Sequence, residues 1–375
     1  MTQRLKVMVW GPGKLGSIAI WEILQNPGFE LVGVGAYSDR KHGADVGALL
    51  GLSDIGVLAT TDRKRLMDEH ADCIIYTAHD RGTYHTDEEI LELLANGHNV
   101  ITPLPYQNAH LFREEAFTEK LHAACRKGQS VFHATGIDPD VVSDRVLMSL
   151  TGLCTDIQSI TMQEYWNCGS ANPDSLKMVG FGDTPEQAES KELPARVAEN
   201  FLRSIGATAE KVLGRPFDDI RLVHEYIRAP HDLATALPIR AGQVARIAHR
   251  IEGYISSKPS APFFAVEYNW LMDDVMLPQT VRPGQYYQIE IEGRPSIRAS
   301  IDLKTSLESE APFYDVGSMK SEPSYHATIA PCLQAVTHVC RAGPGILPSF
   351  GPGLHWTHDY ASPVSDVDAV VNTRT

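Results

Sequence analysis

The sequence predicts an α/β fold, with a Rossmann-type parallel sheet domain and an α+β domain that has an open antiparallel sheet. Short apolar segments alternate with helical patterns over the first 140 residues, and longer strand-like segments dominate the rest. A chain of 375 residues accommodates roughly two domains at about 150 residues each. We expect one domain at 1–140, completed by 326–375, and a second at 141–325.

Composition places the chain among ordinary globular proteins and narrows its partners. Apolar residues make up 43%, charged residues make up 21%, and the formal net charge is −14. A nucleic-acid binder would need a basic face, so we expect no nucleic-acid partner. No run of about 18 apolar residues predicts a membrane span, and the six cysteines include no CxxC pair. We therefore expect reduced thiols, a cytoplasmic protein and a small-molecule substrate.

Several catalytic motifs are missing from the sequence. No cluster of His, Cys or Asp has the spacing of a zinc site, so we expect no metal. Neither a G-x-S-x-G elbow nor a G-x-x-x-x-G-K-[ST] loop occurs. These absences weigh against hydrolase and kinase functions.

The first glycine loop carries the most informative motif. An apolar strand at 5–10 (LKVMVW) is followed by GPGKLG at 11–16, a helical pattern, and a second strand at 29–37. Strand, G-x-G-x-x-G, helix and strand in this order are typical of dinucleotide-binding proteins. The first glycine permits a tight turn, the second lets the backbone approach a pyrophosphate, and the third lets helix and strand pack closely. The candidate cofactor residues here are Gly11, Gly13, Lys14, Leu15 and Gly16.

The polar turn after the second strand bears on the choice of cofactor. Asp39 follows the glycines at roughly the distance at which an acidic residue holds the ribose 2′-hydroxyl of NAD. Ser38, Arg40 and Lys41 instead offer a hydroxyl and two cations, which suit the 2′-phosphate of NADP. We expect NADP, with NAD still open, and we take all four residues as cofactor candidates. A solvated turn without a ligand is the alternative.

Further strand and helix patterns extend the parallel sheet. The predicted strands are at 73–78, 98–103 and 130–136, and the predicted helices between them are at 88–96 and 109–127. Ligands of such sheets bind beyond the carboxyl ends of the strands. The expected wall of the nicotinamide site therefore consists of the loops 79–84, 103–108 and 134–139. His79, the first residue of these loops, is a further cofactor candidate.

Long strand-like segments mark the second half of the chain. They are predicted at 156–167, 221–229, 243–255, 261–272 and 285–303. A hairpin is expected at 292–295 (EGRP), and helical patterns cover 185–204 and 325–341. Tyr165, Trp166 and Phe181 are candidates for an apolar substrate pocket, and core packing is the alternative for each.

Several segments together resemble one known family. They are VWGPGKLGSIAI, HATGIDPDVVSDRVLMSLTGLC, SLKMVGFGDTPEQ, IEGRPSIRASIDL and YHATIAPCLQAVTHVCRAGPGI. Their order is similar to that of the dihydrodipicolinate-reductase-like oxidoreductases, in the branch of 2,4-diaminopentanoate dehydrogenase and the NAD(P)-dependent amine dehydrogenases. The resemblance extends over nearly the whole chain.

The resemblance implies a Rossmann domain that binds NAD(P), a second domain for substrate and dimerisation, and a homodimer. It implies hydride transfer between nicotinamide C4 and a carbon that bears nitrogen, so that a small apolar ketone or aldehyde and ammonia give an amine. It further implies that Thr135, Gly136 and Asp138 line the nicotinamide. The family pattern usually has Asn in place of Asp138.

The chain departs from the family pattern after the strand predicted at 98–103. Amine-forming members are expected to carry a glutamate there that orients ammonia and moves a proton, whereas this chain reads TPLPYQN at 102–108. Gln107 is the candidate for that position, although an amide is no general acid or base near neutral pH. Tyr106 is the other candidate proton donor. The alternatives are an NAD(P)H-dependent carbonyl reductase or alcohol dehydrogenase, and a dinucleotide-binding protein that has lost its catalytic acid.

Overall fold

The computed structural model describes residues 4–79, 84–257, 259–308 and 311–349. They form two compact units. Unit 1 lies within 1–80, 85–141 and 305–375, and unit 2 lies within 81–84 and 142–304.

The described elements are short in unit 1 and longer in unit 2. The strands are β1 (Leu5–Trp10), β2 (Phe29–Gly35), β3 (Ala59–Thr60), β4 (Cys73–Tyr76), β5 (Val100–Thr102), β6 (Val131–Ala134), β7 (Asp156–Asn167), β8 (Asp219–Arg228), β9 (Val244–Tyr254), β10 (Phe264–Leu271), β11 (Gln285–Arg294), β12 (Ile297–Asp302), β13 (Tyr314–Val316), β14 (Met319–Ser321) and β15 (Gly345–Leu347). The α-helices are α1 (Lys14–Gln25), α2 (Val46–Leu49), α3 (Arg63–Asp68), α4 (Asp87–Ala95), α5 (Ala109–Phe112), α6 (Glu115–Gly128), α7 (Leu147–Thr151), α8 (Pro173–Met178), α9 (Pro185–Glu189), α10 (Glu192–Leu213) and α11 (Pro323–Val339).

Unit 1 is built on a sheet whose strands follow the order β15-β6-β5-β4-β1-β2-β3. All neighbouring pairs are parallel. The winding direction reverses at β1, because β2 and β3 lie on one side of it and β4, β5 and β6 on the other. Ligands of open parallel sheets bind at the carboxyl ends of the strands beside such a reversal. The glycine loop, which follows β1 directly, lies at this position.

Alternating side chains of β1 contact two separate apolar layers. Val7 and Val9 pack with α1 and α11 on one face of the sheet, and Met8 and Trp10 pack with α4 and α6 on the other. Because successive strand residues point to opposite faces, a strand covered on both faces is an unbroken apolar run. This double burial explains the run LKVMVW that predicted the strand.

Unit 2 is built on a sheet in the order β12-β11-β7-β10-β9-β8. β7 and β10 pair in parallel, and the other neighbours are antiparallel. The helix α10 packs on one face, where a Cβ added at Gly206 would lie 3.6 Å from Cδ1 of Ile251 in β9. The face of the sheet that carries Ile251 is called the helix face below.

The predicted fold class is confirmed, and the second sheet is mixed rather than purely antiparallel. The hairpin expected at 292–295 joins β11 and β12. Two predicted helices are each divided in two by an extended residue. Glu114 (ψ 138°) separates α5 from α6, and Lys191 (ψ 103°) separates α9 from α10.

Three further properties concern the described ranges alone. None of their helices is long and apolar enough to cross a membrane. They contain no group of three or more His, Cys, Asp or Glu that is placed to hold a metal ion. The six cysteines are free thiols.

Candidate active site

The glycine loop is crowded at two glycines and open at the third. Gly11 has φ 94°, and a Cβ there would lie 2.9 Å from the backbone nitrogen of Ala78. A Cβ at Gly16 would lie 2.2 Å from the carbonyl oxygen of Gly11, so α1 begins this close to the loop only because the residue is glycine. A Cβ at Gly13 would meet nothing within 4 Å. The open position at Gly13 is where the motif lets a pyrophosphate approach the backbone.

The N-terminus of α1 carries no capping side chain within the described residues. Gly13 occupies the N-cap position, and the first turn contains no acidic residue. The first backbone N–H groups of a helix lack partners inside the helix and carry partial positive charge. This helix end therefore offers hydrogen-bond donors and a favourable field to a phosphate.

The side chains of Lys14 and Leu15 make contacts within the protein. The Lys14 ammonium donates to the backbone carbonyl of Lys320 and lies 5.6 Å from the ring centroid of Tyr325. Desolvation lowers the pKa of Lys14, although Glu322 opposes the effect. Leu15 packs against the apolar core on the α1 side of the sheet. Any role of these two residues at a cofactor stays a prediction, and their side-chain contacts leave it to their backbone at the start of α1.

The turn after β2 is open to solvent. Ser38, Asp39 and Arg40 are exposed, and the Ser38 hydroxyl accepts from the backbone N–H of Arg40 at 3.3 Å. The Lys41 ammonium donates to the carbonyl of Pro12 in the glycine loop, and desolvation lowers the pKa of Lys41. Lys41 thus ties the turn to the glycine loop, and Arg40 presents an exposed cation.

The segment after β6 is held from inside unit 1. Thr135 is fully buried, and its hydroxyl donates to the carboxylate of Asp140. The other carboxylate oxygen of Asp140 accepts from the Ser349 hydroxyl at 2.5 Å, and the Cys332 thiol donates to the Thr135 carbonyl at 3.0 Å. Asp140 lies in this turn and has a positive φ of 125°. It was not among the residues predicted from the sequence. Its carboxylate thus links Thr135, at the start of this turn, to Ser349.

Tyr106 lies in the apolar layer that contains α4 and α6. It is 5% exposed, and its hydroxyl donates to Asp87 at 2.6 Å and lies 2.9 Å from the Thr86 hydroxyl. The guanidinium of Arg113 pairs with the same Asp87 carboxylate. Burial and the adjacent Asp87 charge raise the pKa of Tyr106 well above its usual value. These contacts disfavour Tyr106 as a proton donor, and that role stays a prediction.

Gln107 and His79 differ in exposure. Gln107 is 3% exposed. It precedes Asn108, which occupies the N-cap position of α5 and has a left-handed φ of 56°. His79 is exposed at the end of the segment that follows β4. Both follow strands of the parallel sheet, where the topology places ligands. The roles of both residues stay predictions.

The three predicted substrate residues all lie in or against one apolar cluster of unit 2. Tyr165 and Trp166 are neighbours in β7, so their side chains point to opposite faces of the sheet. Tyr165 is 4% exposed and Phe181 is 1% exposed, and both belong to the buried part of this cluster, against which Trp166 and Trp270 also pack. Trp166 is half-buried and meets the Trp270 ring edge-on at 6.4 Å. Core packing, the alternative interpretation, describes Tyr165 and Phe181 better than a pocket does.

The sequence reasoning also missed a carboxylate beside these aromatic residues. Glu164 of β7 accepts from the Tyr287 hydroxyl at 2.8 Å across the sheet. Burial raises the pKa of Glu164 to about 7, although the hydrogen bond from Tyr287 opposes the shift. The two partners are 123 residues apart in the chain, so no local motif records them.

Comparison with known proteins shows that part of the chain matches a family model. Residues 5–100 match the model described as the N-terminus of dihydrodipicolinate reductase. This range contains β1, the glycine loop, α1 and the turn after β2. The match therefore covers the part of unit 1 that carries most of the candidate cofactor residues.

Two curated relatives are similar to the chain over nearly its whole length. An amine dehydrogenase of Streptomyces virginiae is 24% identical over 355 residues, which is 91% of this chain and 94% of the relative. A 2,4-diaminopentanoate dehydrogenase of Acetoanaerobium sticklandii is 21% identical over 368 residues, 92% of each chain. The solved structure of an amine dehydrogenase from Mycobacterium smegmatis matches with a TM-score of 0.73 at 21% identity, covering 95% of this chain and 98% of the other. That likeness shows a shared fold.

Proposed function

We propose that this chain belongs to the dihydrodipicolinate-reductase-like NAD(P)-dependent oxidoreductases and is an enzyme of the amine dehydrogenase type. It would transfer a hydride between a nicotinamide and a carbon that bears nitrogen. In the reductive direction a small apolar ketone or aldehyde and ammonia would give an amine. The observation that carries the proposal is the full-length similarity to two enzymes named for amine chemistry.

The residues of unit 1 fit a nicotinamide dinucleotide. The open space at Gly13 and the uncapped start of α1 suit a pyrophosphate, and the exposed turn at 38–41 suits the adenosine ribose. When bound, the nicotinamide supplies or accepts the hydride. The hydrogen bond between the buried Thr135 and Asp140 holds the turn that would line the nicotinamide. An ordered turn would keep the reacting carbon of the nicotinamide in one position.

We further propose that the cofactor is NADP. Arg40 presents an exposed guanidinium beside the Ser38 hydroxyl, and a guanidinium forks onto a phosphate. Asp39 in the same turn supports NAD as the second option. A homodimer is proposed from the family resemblance and a cytoplasmic location from the free thiols.

A second candidate function rests on the residues after β5. The segment TPLPYQN at 102–108 contains no carboxylate, and the amide of Gln107 donates and accepts hydrogen bonds without transferring a proton. General acid–base catalysis contributes roughly 10²–10⁴ to a rate, so a missing acid matters for amine formation. Reduction of a ketone to an alcohol is therefore the second candidate.

Cofactor oxidation with and without ammonium separates the two candidates. The protein is mixed with NADPH or NADH and cyclohexanone, and the absorbance of the reduced nicotinamide is followed. Consumption that requires ammonium supports the amine dehydrogenase function, and equal consumption without ammonium supports the carbonyl reductase. If neither cofactor shifts the melting temperature, the dinucleotide site itself is wrong.

A further inference from the structure

A row of polar and aromatic side chains crosses the helix face of the unit 2 sheet. In the strand register Glu164 of β7 lies opposite Tyr287 of β11 on one side and Tyr268 of β10 on the other. Tyr268 lies opposite His249 of β9, which lies opposite His224 of β8. Directly opposed residues of neighbouring strands point to the same face. His249 and Ile251 are two apart in β9, so this face is the helix face.

Three members of the row are buried, whereas Glu164 and His224 are partly exposed. Tyr287 and His249 are fully buried, and Tyr268 is 6% exposed. Burial and the neighbouring His224 lower the pKa of His249 to about 3, so the ring is neutral at physiological pH. The Nδ1 atoms of His224 and His249 are 2.7 Å apart, so one ring donates to the other.

One polar atom of this row is left without a hydrogen-bond partner in the part of the chain that the structure describes. It is Nε2 of the fully buried His249. A buried ring nitrogen without a partner is less stable than one that is hydrogen-bonded. The cost is recovered if a ligand supplies the partner.

Two tryptophans extend the row along the strands. Trp166 and Trp270 lie two residues beyond Glu164 and Tyr268, so they point to the same face. The ring of Trp270 meets the His249 ring edge-on at 5.3 Å and the Trp166 ring edge-on at 6.4 Å. We call Glu164, Trp166, Tyr268, Trp270 and His249 the carboxylate patch.

We propose that the carboxylate patch binds the substrate amine, with the ammonium on Glu164 and the apolar body against Trp166 and Trp270. The inference rests on the proposed amine dehydrogenase function and names the part of unit 2 that recognises the substrate. A carboxylate accepts from an ammonium in a charge-assisted hydrogen bond. A buried carboxylate repels an anion, so the patch selects an amine over a carboxylic acid.

Binding of three six-membered-ring probes to the full chain tests the patch without any turnover. Cyclohexylamine, cyclohexanol and cyclohexanecarboxylate are titrated by calorimetry. The amine is expected to bind more tightly than the alcohol, and the carboxylate is expected not to bind. Glu164→Gln should weaken cyclohexylamine roughly 10- to 100-fold and leave cyclohexanol unchanged. Equal amine affinity in Glu164→Gln and the wild type, or preferred binding of the carboxylate, overturns the proposal.

Two further variants keep the test independent of folding. Glu290→Gln removes a carboxylate from β11 at a position out of phase with Tyr287, on the other face of the sheet, and it should leave amine affinity unchanged. Trp270→Leu should weaken the amine and the alcohol together, because it removes the apolar wall. A loss of amine binding in Glu290→Gln as large as that in Glu164→Gln would contradict the assignment.

The pH dependence of amine binding provides a second readout. Tyr287 and Tyr268 face Glu164 from the adjoining strands, His249 and His224 follow in the row, and Glu199 of α10 acts on His224. An alkyl ammonium stays charged well above neutral pH, whereas Glu164 loses its proton near pH 7. Amine affinity should therefore rise from pH 6 to pH 8 in the wild type and stay flat in Glu164→Gln. A flat wild-type profile overturns the role of Glu164.

Cofactor oxidation by the wild type and amine binding by Glu164→Gln together distinguish failure of the patch from failure of the proposed function. Ammonium-dependent NADPH oxidation together with unchanged amine binding in Glu164→Gln rejects the patch alone. Amine binding that depends on Glu164, without any ammonium-dependent oxidation, rejects the proposed function and retains the patch.

Discussion

Gly13→Ala tests the dinucleotide site with little disturbance of the fold. The added Cβ meets nothing within 4 Å, and the backbone of Gly13 (φ −80°, ψ −156°) is extended, a conformation that alanine adopts without strain. A glycine-to-alanine change at a compatible position stabilises a protein by about 0.4–1 kcal/mol. We therefore expect a melting temperature without cofactor equal to or slightly above that of the wild type.

The same Cβ lies where a pyrophosphate approaches the loop. A cofactor at 100 times its Kd stabilises the native state by about 2.7 kcal/mol. A domain of 150–250 residues gains about 2–4 °C per kcal/mol, so NADPH should raise the wild-type melting temperature by roughly 5–10 °C. We expect Gly13→Ala to lose most of this increase. Differential scanning fluorimetry with increasing NADPH measures both quantities.

Gly16→Ala is the matched control for this prediction. Its Cβ would lie 2.2 Å from the Gly11 carbonyl oxygen, so this variant should melt at a lower temperature even without cofactor. Retention of the full NADPH-induced increase in Gly13→Ala would refute the pyrophosphate site. A large loss of stability in that variant without cofactor would refute the open space at Gly13.

Three other substitutions separate the roles of the candidate residues. Arg40→Ala should weaken NADPH roughly tenfold and NADH little, as measured by calorimetry, and equal losses would remove the NADP preference. Gln107→Glu should increase ammonium-dependent NADPH oxidation, with Gln107→Met as the control of similar size, and an unchanged rate would reject this position for the missing acid. Tyr106→Phe should lower the free energy of unfolding by about 1–3 kcal/mol, because Asp87 loses a buried hydrogen bond. Its kcat for cyclohexanone should change little, and a large fall in kcat would restore Tyr106 as the proton donor.

The parallel sheet was predictable from the sequence because its signals are local. A strand buried on both faces is an unbroken apolar run, and β1 and β4 lie where such runs occur. The glycine loop is equally local, since φ 94° at Gly11 and the close contact at Gly16 each require glycine. Short elements such as α2 and β3 were missed because four or two residues carry too little periodicity.

The role of Tyr106 shows where a linear comparison fails. Tyr106 follows β5, where the family is expected to carry its catalytic glutamate. In the structure, however, its hydroxyl donates to Asp87 at the start of α4. That contact depends on how α4 and α6 pack against the sheet, which the residues around Tyr106 do not encode. Asp140 was missed for a related reason, because its partner Ser349 lies 209 residues further along the chain, although its other partner, Thr135, is only five residues away.

The carboxylate patch could have been suspected from one strand. In β7 the residues Ile160 and Met162 are fully buried, and Glu164 follows them in the same alternating phase. A carboxylate in the buried phase of a strand costs free energy unless something compensates it, so its presence predicts a hydrogen-bond partner such as the Tyr287 hydroxyl. Its partners were not predictable, since a register slip of one residue would turn Tyr287 and Tyr268 to the opposite face. The sequence therefore shows that Glu164 points to the same face as Ile160 and Met162. Only the structure gives the strand register that brings Tyr287 and Tyr268 next to it.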